Sequence, residues 1–71
     1  MRRGGGRAIS WAMYKTYELY LEGEAGPLGF EPVTCRSDDE LMTAVRRLID
    51  TRRLRAIEVR HFGAHVFTVE A

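Results

Sequence analysis

A single cysteine, Cys35, stands among 71 residues, so the chain has no intramolecular disulfide and nothing points to an oxidising compartment. His61 and His65 are the only histidines. A closed zinc cage of about four cysteine and histidine ligands is therefore excluded. Apolar runs extend only a few residues, against roughly 20 for a spanning helix, so no membrane crossing is expected. Ala8 to Met13 is too short and too mixed for the apolar region of a secretory signal, which makes the cytoplasm the expected location. No Gly-Lys-Ser/Thr loop and no Gly-x-Gly-x-x-Gly before a helix is present. Nowhere does the pattern assemble a nucleophile, a base and oxyanion donors. The expectation is a non-enzyme without a cofactor.

What the chain does have is charge, and it is segregated. The net charge is +1, but Arg2, Arg3 and Arg7 sit in a glycine-rich start with no sustained periodicity. Residues 1–12 read as a disordered basic tail. The composition changes abruptly at Met13, a candidate natural start. From Met13 to Val45, Lys15 and Arg36 face seven acids (Glu18, Glu22, Glu24, Glu31, Asp38, Asp39, Glu40), for a net −5. From Arg46 to Arg60, six arginines face Asp50 and Glu58, for a net +4. A divided field of this kind orients a partner or a second copy of the chain.

Residues 13–71 read as one domain. From Met13 to Glu22 the odd positions (Met13, Lys15, Tyr17, Leu19, Leu21) alternate with Tyr14, Thr16, Glu18, Tyr20 and Glu22, the period of a strand with one buried face. Gly23 to Gly29, with three glycines and a proline, reads as a loop. Phe30 to Cys35 is a second strand, with Val33 and Cys35 inward and Pro32 confining it to a sheet edge. Ser37-Asp38-Asp39-Glu40 is a capping box that starts a helix, with Leu41, Val45, Leu48 and Ile49 as its apolar stripe. Arg52 and Arg53 sit in its last turn, where cations suit the helix dipole. Leu54 to Phe62 and His65 to Glu70 form a final hairpin. A three-residue loop, Phe62-Gly63-Ala64, pairs His61 with His65, Val59 with Phe67 and Ile57 with Val69. A two-residue loop would mix the faces, although Ala64 stands where such three-residue loops prefer glycine.

The sum is an α+β chain of the form ββαββ: one helix on one face of a four-stranded, mainly antiparallel sheet of expected order 2-1-3-4. One helix covers one face, so Tyr14, Thr16, Tyr20, Glu58, Arg60, Val66 and Thr68 are left on the other. About 59 residues without a staple bury only around 60% of their unfolded surface, and domains of this size often oligomerise. These features predict a protein-interaction module that self-associates, as a dimer, through Tyr14, Tyr20, Arg60 and Val66, or binds another protein there.

The alternative is nucleic-acid binding through Arg46, Arg47, Arg53 and Arg55, helped by the tail arginines, with Tyr14 and Tyr20 offered for base stacking. Glu18 and Glu22 beside those tyrosines oppose a polyanion. His61 and His65, opposed across the hairpin with Cys35 on the same face, form a set that a transition metal binds adventitiously. Their simpler reading is two histidines at the margin of the core. Cys35, inward on its strand, reads as a small core residue. Trp11 either folds back over the sheet edge or belongs to the tail.

Tyr17-Glu18-Leu19-Tyr20-Leu21, the Ser37-Asp38-Asp39-Glu40 start of an arginine-rich helix, and Ala56-Ile57-Glu58-Val59 before a short hairpin together resemble small bacterial ββαββ proteins of unassigned function. The likeness covers roughly residues 14 to 70. It implies a bacterial cytoplasmic protein and no particular activity, cofactor or site.

Overall fold

The computed structural model describes residues 14–71. The basic tail, Trp11 and the candidate start at Met13 lie outside them. Strand β1 (Lys15–Gly23) turns directly into β2 (Gly26–Cys35); helix α1 (Asp38–Arg52) follows, then β3 (Ala56–His61) and β4 (Ala64–Glu70). The sheet order is β2-β1-β3-β4, with every neighbouring pair antiparallel. The ββαββ arrangement and the strand order match the sequence expectation.

The alternation in β1 places Tyr17, Leu19 and Leu21 on the covered face, where they are buried. They meet Ile57 and Val59 from β3, Cys35 from β2, and Leu41, Val45 and Ile49 from the helix. Leu19, Val45, Ile57 and Val59 are fully buried. Val33, Leu48, Phe67 and Val69 close the margins of this core while staying partly open. No side chain that is polar or charged is buried among the described residues. Cohesion therefore comes from a small apolar layer between one helix and two central strands.

Ser37 is the N-cap of α1, and its Oγ accepts from the Glu40 amide at 3.2 Å. The return bond differs from the expected capping box: Glu40 Oε1 accepts from the amide of Arg36 at 2.8 Å, one residue before the cap. The Arg36 side chain also lies over that carboxylate, 3.6 Å from Oε2, which favours the longer reach. At the other end Arg53 is not in the last turn but closes the helix in the left-handed region, φ 53°. Its amide, and that of Leu54 at 3.0 Å, bond to the Ile49 carbonyl. Leu54 and Ile49 are both core residues, the apolar contact that accompanies this type of helix end.

Three local expectations are corrected. Gly23 to Gly29 is not a seven-residue loop: only Glu24 and Ala25 form the turn, and β2 begins at Gly26. The strand survives its glycines and Pro27 because it is an edge, where one side needs no donors. A bulge leaves Leu28 unpaired between Leu21↔Gly29 and Glu22↔Pro27, and Gly29 takes φ 117° there, a region closed to most side chains. The last strand pair also turns in two residues, Phe62 and Gly63, not three. Both have positive φ, 54° and 81°, as the favoured two-residue hairpin turn requires. The pairs Ile57↔Val69 and Val59↔Phe67 are as expected, but Arg60 faces His65 and His61 faces Ala64. A bulge at Val66 absorbs the extra residue. It keeps the apolar pairs on one face despite the shorter turn, and it removes any need for glycine at position 64. Strand β3 is also shorter than read, since Leu54 and Arg55 precede it.

Candidate open-face interface

Helix α1 lies on one face, and the other carries a row of side chains running through all four strands. Phe30 on β2 pairs with Tyr20 on β1, and the rings stack with centroids 5.2 Å apart and planes 21° apart. Tyr20 pairs in turn with Glu58 on β3. The Arg60 guanidinium lies over the Tyr20 ring, 4.4 Å from its centroid, a cation–π contact. Arg60 Nη2 donates to Glu58 Oε1 at 3.1 Å. The other carboxylate oxygen of Glu58 lies 2.9 Å from His65 Nδ1 on β4. Phe30, Tyr20, Arg60, Glu58 and His65 thus form one continuous contact chain. Beside it the hydroxyls of Thr16 and Thr34 bond at 2.9 Å.

This chain of contacts sets its own electrostatics. Hydrogen bonds from Arg60 first, and from His65 second, hold the Glu58 carboxyl below its usual range. The same bond from Glu58 pushes the Arg60 guanidinium above its already high value. Glu58 is therefore a carboxylate and Arg60 a cation at any pH near neutrality. Glu18, the next acid on this face, serves the hairpin tip: its carboxylate accepts from the amides of Phe62 (3.3 Å) and Gly63 (2.9 Å).

Of the four residues expected at the interface, the structure joins Tyr20 and Arg60 directly. Both are half-buried, not open, because they cover each other. Tyr14 and Val66 are exposed, at 47% and 45%, and stand outside the contact chain. Val66 does not face Arg60; it is the unpaired residue of the β4 bulge. Sequence reading missed Phe30, which is 54% exposed, and His65 as a member of this face. Parity held the signal for Phe30, since it lies three positions from inward-facing Val33. His65 was unreadable without the bulge.

The four helix-side arginines go elsewhere. Arg46, Arg47, Arg53 and Arg55 are exposed and take part in no ion pair among the described residues. The helical pair lies on the solvent side of α1, away from the face that carries Tyr20. Aromatic stack and basic group therefore do not form one surface. Arg52, by contrast, is paired with Glu31 of β2.

The expected convergence of His61, His65 and Cys35 does not occur. His61 packs on Tyr17, centroids 5.1 Å apart, on the covered side, while His65 bonds to Glu58 on the open side. The bulge at Val66 is the cause. Among the described residues no three His, Cys, Asp or Glu side chains are placed to hold a metal. Cys35 is buried, and burial, then the nearby Glu40 charge, push its thiol pKa up, the opposite of a nucleophile's environment.

The fold defines a small α+β domain of ββαββ form. No known protein family, curated protein or solved structure matches the chain. No helix among the described residues is long and apolar enough to cross a membrane.

Proposed function

We propose that this chain is a non-catalytic protein-interaction module that self-associates through the open face of its sheet. The observation that carries the reading is the stack of Phe30 on Tyr20 on the face that α1 leaves uncovered, with Tyr14 and Val66 also exposed. Large aromatic side chains beside an arginine are the residues enriched where proteins meet. The charges of Arg60 and Glu58 are already paired with each other, so that part of the face can be covered without stranding a charge. A two-fold arrangement lets each copy offer the same patch. The location this reading implies is the cytoplasm.

A dilution series followed by amide NMR tests the reading. The amides of Tyr14, Tyr20 and Phe30 are expected to shift with protein concentration while those of Arg46 and Arg47 stay fixed. Shifts confined to the helix, or no shifts up to high micromolar concentration, contradict it.

One observation favours a second reading, nucleic-acid binding: Arg46, Arg47, Arg53 and Arg55 are all exposed and without carboxylate partners among the described residues. Binding in a gel-retardation assay that weakens steeply with salt and is lost in an Arg46→Ala/Arg47→Ala variant supports this alternative.

A further inference from the structure

The two edges of the sheet are not alike. Edge β2 carries Pro27, Pro32 and a bulge at Leu28, the devices by which natural sheets refuse further strands. Edge β4 reads Ala-His-Val-Phe-Thr-Val-Glu; it too has a bulge, at Val66, but from Phe67 to Glu70 it is regular, with no proline or lysine and one acid at its end. Among the described residues it pairs with β3 on one side only. On the covered face its Phe67 and Val69 pack against the core yet remain partly open, because α1 stops short of this margin.

The ladder shows which groups of β4 are free. The Ala71 amide donates to the Arg55 carbonyl at 2.9 Å, in the same register as Ile57↔Val69 and Val59↔Phe67. Antiparallel ladders alternate bonded and non-bonded pairs, so residues 67, 69 and 71 spend their backbone groups on β3. The amides and carbonyls of Thr68 and Glu70 point outward.

We infer that the β4 edge is a binding site for the β4 edge of a second copy, paired antiparallel about a two-fold axis at Thr68. With that axis the outward groups of Thr68 bond to those of Thr68 in the second copy. Phe67 then faces Val69, twice, on the covered face, and the bulge residue Val66 comes opposite Glu70. The partly open Phe67 and Val69 become a bridge between two cores. No like charges stand directly opposed, and Glu70 comes beside the bulge that carries His65 in the other copy. An axis at Phe67 instead sets Val69 on the covered face against His65 on the open one, a mismatch the Val66 bulge imposes. Self-complementarity about one residue is what selects a second copy over an unrelated strand. The product is an eight-stranded sheet with both helices on one side. This interface is separate from the open face and does not rest on the reading above.

Cysteine cross-linking tests it. Cys35 is the only cysteine, so Cys35→Ala gives a thiol-free background. In that background Thr68→Cys puts two thiols on the axis, where bonded antiparallel pairs have Cα atoms about 5.5 Å apart, within disulfide range. Under mild oxidation this variant is expected to form disulfide-linked dimer about tenfold or more faster than Thr43→Cys on the exposed side of the helix, since pairing raises the local thiol concentration. Val69→Cys, which faces Phe67 and not itself, is expected to match the slow Thr43→Cys rate. Thr68→Pro removes an outward donor without touching the β3 ladder; it is expected to keep its circular dichroism and to lower the association state. Cross-linking of Thr68→Cys no faster than Thr43→Cys overturns the inference and leaves the edge to an extended segment of another protein. Loss of rapid cross-linking when Phe30→Glu is added also overturns it, because the open face would then be what brings the thiols together. Persistence of rapid cross-linking in that variant supports edge pairing whether or not the open face associates.

Discussion

Among the described residues two that are not glycine hold left-handed backbone, and they do so for different ends. Arg53 closes the helix at φ 53°, where glycine is the usual occupant. Arg53→Gly is expected to stabilise the domain by about 0.5–1 kcal/mol, measured by urea denaturation. Phe62, at φ 54°, is 90% exposed at the hairpin tip and touches His61, with centroids 4.5 Å apart. What offsets the conformational cost of Phe62 is Glu18, whose carboxylate takes both turn amides. Glu18→Ala is expected to cost about 1 kcal/mol and to speed hydrogen exchange at Phe62 and Gly63 without affecting the helix amides. Unchanged exchange at the tip contradicts that role. Glu58 adds a pH dependence. Its folded pKa is depressed, so the stability it contributes is present above the ordinary carboxylate pKa and is lost as pH falls through the lower folded value. A Glu58→Gln variant is therefore expected to be less stable than the parent at neutral pH, with the gap closing in acid. A gap that persists in strong acid contradicts the ion-pair account.

At the scale of elements, most of the order was readable because burial imposes a period. Tyr17, Leu19 and Leu21 had to share a face, and Leu41, Val45 and Ile49 had to meet them. The strand order follows from placing the most apolar strand centrally. What escaped was backbone detail that side-chain polarity does not encode. The bulges at Leu28 and Val66 each add a residue without changing which apolar side chains point inward. Pattern alone therefore read the first as a long loop and the second as a three-residue turn. These same two irregularities decide the face of His65 and the alignment of Phe30 with Tyr20, so the functional row was less legible than the core. The elements also differ in how much they bear. Ser37→Ala is expected to cost about 1 kcal/mol through loss of the N-cap. Leu19→Ala, at a site with no exposure, is expected to cost 2–5 kcal/mol. Against the roughly 5–15 kcal/mol available to a domain, that loss is expected to lower the midpoint of thermal denaturation well below that of Ser37→Ala.

At the scale of the molecule, the one helix and four strands of the described residues give two surfaces of different character. The outer side of α1 carries exposed Arg46 and Arg47, while the open sheet face carries the Phe30–Tyr20–Arg60–Glu58–His65 row. Arg46 and Arg47 of the helix and Tyr20 of β1 thus fall on opposite sides of the sheet. A face whose cation is already paired with a carboxylate and whose aromatics include exposed Phe30 suits contact with a like face better than contact with a polyanion. Sedimentation equilibrium of the Thr68→Pro variant, in which the β4 edge is silenced, tests this most directly. The protein is expected to sediment at twice the 8.1 kDa chain mass at high micromolar concentration and to fall to the chain mass when Phe30→Glu is added. A folded Thr68→Pro protein that stays at 8.1 kDa throughout contradicts the open face as an interface.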